Sequence, residues 1–331
     1  MSDTKAFLLL PDAPAIPGLT FRFFQGEADI PALEAVRQKV RAVDGDIWLP
    51  GPDTDADAVC NPMQDCLLAE VDGKVIGYTW LDWWKEVDGT RLYLLLGWIV
   101  PEWRRRGIGR TLLRWQEQRL RHIAKTHPIT GPLLFGGNAD ETQPANRALL
   151  LSEGYQVAYT YVNMVCQLPH TPITLAPLPD GLVVRPVEIA HLPAIYAANK
   201  EAFQETRTGH LDESYENFLQ GLHWPKIDTS LWFIAWDGDE VAGLVITLID
   251  EAGGHTPLVA VRRSWRQRGL AKALMTRTLR SLQEQKVTQT ELWTVAENRW
   301  KSVHLYESVG YRIVERQPRY RKPMSGSDLK G

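Results

Sequence analysis

Two short stretches carry the residue types best suited to holding an anion: "WRRRGIGRTLL" at 103–113 and "WRQRGLAKALM" at 265–275. In each, a basic run meets small residues, Gly107 and Gly109 in the first and Gly269 and Ala271 in the second, with Ile108 or Leu270 between them. An apolar, helix-like segment follows. A helix start leaves backbone N–H groups unpaired and carries partial positive charge, which suits a phosphate. Small residues let a ligand oxygen approach the backbone closely. Arg104, Arg105, Arg106 and Arg110, or Arg266, Arg268 and Lys272, can add charge-assisted contacts, with Gln267 inside the second loop. The pattern is R-x-x-G-x-G in one stretch and R-x-x-G-x-A in the other. It is neither a Walker loop, which needs GK[ST], nor a G-x-G-x-x-G dinucleotide turn.

Such a loop works only if a strand delivers the chain to it and a helix departs from it. Both stretches meet that need. "LLLGWIV" and "PLVAV" read as buried strands, and the following residues recur at helical spacing: Leu112, Gln116, Leu120 and Ile123, then Leu270, Leu274, Thr278 and Leu282. The likeness extends beyond the loops. "GLTFRFFQGEADIPALEAV" lines up with "GLVVRPVEIAHLPAIYAA", pairing Gly18 with Gly181, Arg22 with Arg185 and Pro31 with Pro193. Gly77 matches Gly243, Gly107 matches Gly269, and Gly154 in "LLLSEGYQV" matches Gly310 in "HLYESVGYRIV". One supersecondary unit of about 160 residues therefore occurs twice.

The order within each copy is strand, helical region, a hairpin around "VDGK" or "WDGDE", a buried strand, a helix, a strand, a helix and a final strand. That predicts an α/β (α+β) fold of two tandem domains, each a mixed, partly antiparallel sheet flanked by helices. The expected boundaries are an extension at 1–17, a domain at 18–168, a proline-rich linker at 169–180, a domain at 181–322 and a tail at 323–331.

The totals fit this reading. At 331 residues the chain is long for one core, and 44% hydrophobic with 23% charged residues is ordinary for globular domains. A net charge of −3 argues against nucleic-acid binding, so the arginine run is a local feature. Cys60, Cys66 and Cys166 are too few and too irregularly spaced for a disulfide framework or a sulfur-ligated zinc site, which fits a reducing, cytoplasmic compartment. The apolar runs "KAFLLLP" and "LYLLLGWIV" are too short to cross a bilayer, so no membrane partner is expected.

The paired loops, each followed by a "GY" closing element, resemble the pyrophosphate loop Q/R-x-x-G-x-G/A of the GNAT acetyltransferase superfamily, and the tandem layout is similar to that of its double-domain members. The resemblance implies acetyl-CoA or another acyl-CoA as co-substrate, no metal, and a small-molecule or peptide amine as acceptor. It implies cofactor contacts from residues 104–110 and 266–272, from the backbone of Ile99, Val100, Val261 and Arg262, and from Asn298. It places a proton-donating tyrosine four residues before the closing glycine. Tyr306 stands there in the second copy, Leu150 in the first. It places a base six residues before the hydrophobic residue ahead of the loop, which is His255 in the second copy and Tyr93 in the first. In a regular strand, His255 and Val261 share a face. Gly253, Gly254 and Pro257 disturb that regularity, and Asp250, Glu251 and Glu297 are alternative bases. On a helix, Asn298, Ser302 and Tyr306 would line one side. Catalysis is thus expected in the second copy, with the first binding acyl-CoA or serving as scaffold; a non-catalytic acyl-CoA-binding protein is the competing class. The acceptor pocket is expected from residues 36–62 and 199–225, which carry acidic residues and tryptophan suited to a cationic or aromatic acceptor.

Overall fold

The computed structural model describes residues 7–55, 59–86, 88–203, 214–222 and 228–324. Apolar alternation and helical periodicity are realised in order along the first copy. β1 (Leu19–Phe23) leads to α1 (Ile30–Asp44) and the short α2 (Pro62–Asp65), then to β2 (Leu67–Val71) and β3 (Lys74–Lys85). Asp72 and Gly73, with φ of 49° and 77°, make the tight turn between β2 and β3 that the Asp-Gly pair predicts. β4 (Arg91–Ile99), α3 (Ile108–Ala124), β5 (Leu133–Asn138) and α4 (Pro144–Ser152) follow, before β6 (Gln156–Gln167) carries the chain onward.

The second copy repeats the series: β7 (Val183–Arg185), α5 (Leu192–Phe203), α6 (Tyr215–Gly221), β8 (Trp232–Asp237), β9 (Glu240–Asp250), β10 (Gly253–Val261), α7 (Leu270–Glu284), β11 (Gln289–Val295), α8 (Ser302–Glu307) and β12 (Arg312–Pro323). Among the described residues, no helix is long and apolar enough to cross a membrane.

The compact units do not follow the repeat at its last strand. One unit holds the chain up to Ala158 together with the segment from Gln317 onward, and the other holds Tyr159–Arg316. β6, which ends the first copy in sequence, pairs antiparallel with β11 of the second, from Tyr161 opposite Val295 to Gln167 opposite Gln289. β12, which ends the second copy, pairs antiparallel with β5 of the first, from Arg319 opposite Asn138 to Pro323 opposite Leu134. Within the first unit the strand order is β1-β2-β3-β4-β5-β12, and within the second it is β7-β8-β9-β10-β11-β6. A sequence boundary at 168 therefore differs from the boundary of packing. The exchange buries Val162, Met164 and Cys166 of β6 among the α7 side chains, an apolar face that must be covered by some helix.

Both sheets carry helices on their faces. In the first unit Leu33, Val36 and Val40 of α1 and Ile108, Leu112 and Leu120 of α3 join one core. In the second, two separate cores form, one under α7 with Leu270, Leu274 and Leu282, the other under α5 and α6 with Ile195, Phe218 and Ile246. The proline-rich segment after β6 is pinned along α7: Gln283 Nε2 donates to the carbonyls of Leu168 and Thr171, and Arg277 Nη1 to that of Ala176.

Candidate functional site

Both basic loops adopt one backbone form. Arg105 and Gly107 have φ of 61° and 91°, and Gln267 and Gly269 have φ of 59° and 82°, so the left-handed region recurs at the same two positions before α3 and α7. Glycine takes that conformation without steric cost, which explains why Gly107 and Gly269 cap the two helices. No side chain caps either helix start, leaving its backbone N–H groups directed at the loop.

The leading arginine of each loop braces it. Arg104 Nε donates to the Ile99 carbonyl at 2.8 Å, and its two Nη atoms grip Asp44 at 2.7 and 2.9 Å. Arg266 Nε donates in the same way to the Val261 carbonyl at 2.9 Å and Nη2 to the Ala202 carbonyl, while its guanidinium lies 4.5 Å over the Trp300 ring. In both loops the Nε group ties the loop to the strand that precedes it, and the Nη groups reach α1 or α5. Arg106 stacks on Trp103 at 4.6 Å and Arg110 pairs with Glu153 at 2.7 Å. Arg105, Gln267 and Arg268 are exposed on the loops and Lys272 on the first turn of α7, and Ile108 and Leu270 turn inward to anchor the helices.

The backbone groups at the strand ends are hydrogen-bonded within the fold: Val100 donates its N–H to Ile76 and accepts from Trp103, and Arg262 donates to Ala242 and accepts from Trp265. The carbonyls of Ile99 and Val261 are taken by Arg104 and Arg266. Asn298 precedes α8 instead of lying on it, and its Oδ1 accepts from the Trp300 N–H; it closes a turn, and only Ser302 and Tyr306 share the helix.

In the first unit β4 and β5 run parallel only from Arg91 opposite Leu133 to Leu94 opposite Gly136. Beyond that the strands part, and the gap opens into a cavity of about 480 Å³ lined by Gly97, Ile99, Arg105, Gly107, Gly109 and Asn146 among others. A Cβ on Gly109 would come within 3.2 Å of Leu149 Cδ2, so the glycine keeps this floor low. A smaller cavity that shares Gly97, Ile99, Gly109 and Asn146 ends against Leu150, which is 2% exposed. Tyr93, on the same strand, is buried with its hydroxyl 3.0 Å from His127 Nδ1.

In the second unit the fork is repeated: β10 and β11 pair only at Gly254 opposite Thr290 and His255 opposite Glu291. Tyr306 lies on α8 within the α7 core, its ring edge-on to Tyr311 at 6.0 Å, and burial pushes its phenol above the ordinary tyrosine range. His255 lies on the other face. A bulge between His255 and Leu258 sets three residue steps of β10 against two of β9, Leu248 to Ile246. Leu248, opposite His255, packs toward α5 and α6, whereas Val261 packs toward α7. The shared face expected for His255 and Val261 is therefore corrected: one extra residue reverses the alternation.

The His255 imidazole is partly open, with Nδ1 3.4 Å from Glu291 Oε1. The other Glu291 oxygen accepts from Asn163 Nδ2 at 3.0 Å. The alternative bases are engaged elsewhere or outside the fork: Asp250 Oδ1 accepts from Ala252 and Gly253, Glu297 Oε2 accepts from Thr160, and Glu251 is exposed in the turn between β9 and β10. Sequence reasoning passed over Glu291 and Asn163. Asn163 arrives through the strand exchange, which no local pattern reports. Of the segments expected to shape an acceptor pocket, 56–58, 204–213 and 223–225 lie outside the described residues.

A family model described as the Acetyltransferase (GNAT) family matches residues 33–128 and 192–311, once per copy. The mycothiol acetyltransferase of Salinispora tropica is 27% identical over 264 residues, covering 76% of this chain and 78% of that protein. A crystal structure of a GCN5-related N-acetyltransferase from Sphaerobacter thermophilus superposes with a TM-score of 0.70 at 23% identity, covering 95% of this chain and 97% of that one. A tandem GNAT protein from the clavulanic acid biosynthesis pathway superposes at 0.59 with 15% identity, covering 92% and 98%.

Proposed function

This chain belongs to the GNAT acetyltransferase family, and from that premise we propose that it moves an acetyl or other acyl group from a CoA thioester to an amine, with the chemistry in the second unit. The observation that carries the reading is the repeated loop: two left-handed positions, an uncapped helix start and a parting strand pair, built twice from different side chains. Exposed Arg105, Arg268 and Lys272 supply charge to a pyrophosphate there. The first-unit cavity has the size of a small-molecule site and a floor kept open by glycine, so the residues present fit a pantetheine arm.

The net reaction exchanges the acyl C–S bond for a C–N bond. One proton leaves the amine nitrogen and one is delivered to the departing sulfur. His255 Nε2 takes the first, from the α5 and α6 face, and Tyr306 Oη gives the second, from the α7 face. Solvent exchange then restores both groups. Burial keeps the Tyr306 proton in place through the neutral range, as a donor requires. In the first unit Leu150 has no proton to give, which supports binding without turnover there. The likeness to a protein named for mycothiol supports a small-molecule amine as acceptor.

The test is release of free thiol from acetyl-CoA with a panel of amines: amino sugars, polyamines, amino-thiols blocked at sulfur, lysine and short peptides. Acetylation of at least one class supports the reading. Tight binding of acetyl-CoA with no release for any amine favours the non-catalytic binding protein instead.

A further inference from the structure

At the fork of the second unit stands a carboxylate that neither the loop pattern nor the proton roles required. We propose that Glu291, steadied by Asn163, is a positioning residue for His255: it fixes the ring so that Nδ1 keeps its proton toward the carboxylate and Nε2 presents its lone pair to the acceptor amine. The inference rests on the reading of His255 as the base.

Three strands converge to make the arrangement. His255 and Glu291 are register partners on β10 and β11, at the last rung before these strands part. Glu291 Oε1 lies 3.4 Å from Nδ1, within ion-pair reach and longer than a well-formed hydrogen bond. Asn163, 9% exposed on β6, donates to Oε2 at 3.0 Å and limits rotation of the carboxylate. A neutral histidine has one donor and one acceptor nitrogen, and an acceptor beside Nδ1 selects the tautomer whose Nε2 is the base.

Among the described residues, charged groups on the elements next to β10 have partners of their own. On α5, which packs against β10, Lys200 lies over the Tyr196 ring and Glu201 pairs with Arg262. On β9 the facing residue is Leu248, and Asp250 is held by the turn that follows it. The charged side chains of α7 belong to the helix on the opposite face.

The experiment uses the full chain with acetyl-CoA and the best amine from the panel, and compares Glu291→Gln, Glu291→Asp, His255→Gln and the Glu291→Gln/His255→Gln double variant. Glu291→Gln is expected to lower kcat roughly tenfold or more, with KM for acetyl-CoA and thermal midpoint unchanged and Glu291→Asp recovering part of the loss. In the His255→Gln background the same change is expected to do nothing further. The ¹⁵N side-chain signature of His255 is expected to show Nδ1–H in the parent protein and to lose that preference in Glu291→Gln. Loss of turnover in His255→Gln with full kcat and an unchanged signature in Glu291→Gln overturns the role of Glu291 alone. Full turnover in His255→Gln, or no release with any amine, overturns the reading beneath it.

Discussion

At the residue scale, the account rests on a few side chains whose surroundings can be varied one at a time. Tyr306→Phe removes one oxygen from a buried ring and leaves its packing; kcat is expected to fall at least tenfold with acetyl-CoA affinity unchanged, read by steady-state turnover beside calorimetric binding. Unaltered turnover removes Tyr306 from the mechanism. A second residue reports on stability. Burial, with Asp55 nearby, raises Asp82 to about 6. The folded state thus holds a proton that the unfolded chain releases near pH 4, so stability falls as pH rises from about 4 to 6. Asp82→Asn is expected to stabilise the protein by about 1 kcal/mol at pH 7, and by nothing below pH 4, in paired denaturation curves. The position of Tyr306 was legible in the sequence because it is set by a local spacing from Gly310. Glu291 was not, since its meaning depends on a register between strands far apart in the chain. The bracing contacts of Arg104 and Arg266 were not legible either, because sequence reports charge and not what the charge touches.

At the element scale, the loops are strand-to-helix junctions whose shape is set by glycine at a positive φ and by an arginine tied back to the strand. That shape was readable from R-x-x-G-x-G/A, because the left-handed requirement selects the residue type. The β10 bulge was flagged by Gly253, Gly254 and Pro257, but its consequence for the facing of His255 required the register with β9. The loops yield a prediction of number. Acetyl-CoA is expected to bind at two sites in calorimetry, and Gly269→Val, which strains φ at 82° and fills space left empty within 4 Å, is expected to reduce this to one. Two sites remaining in a folded Gly269→Val protein contradicts the loop assignment.

At the scale of the whole molecule, the repeat was legible and the exchange of final strands was not: neither β6 nor β12 carries a local mark of its partner, and only tertiary packing chooses it. The exchange has a direct consequence. Ending the chain at Arg316 removes Gln317–Pro323 of β12 and leaves β5 without its antiparallel neighbour, although the whole first copy is intact in sequence. Such a protein is expected to lose cooperative unfolding of its first unit, seen by hydrogen exchange in β5; native protection there contradicts the exchanged arrangement.

The proposed division of labour puts catalysis in the second unit and binding in the first. Thiol release by Gly269→Val and Gly109→Val, measured side by side with one amine at saturating acetyl-CoA, tests it most directly. Turnover is expected to be lost in Gly269→Val and retained in Gly109→Val. Turnover lost in Gly109→Val and kept in Gly269→Val contradicts it.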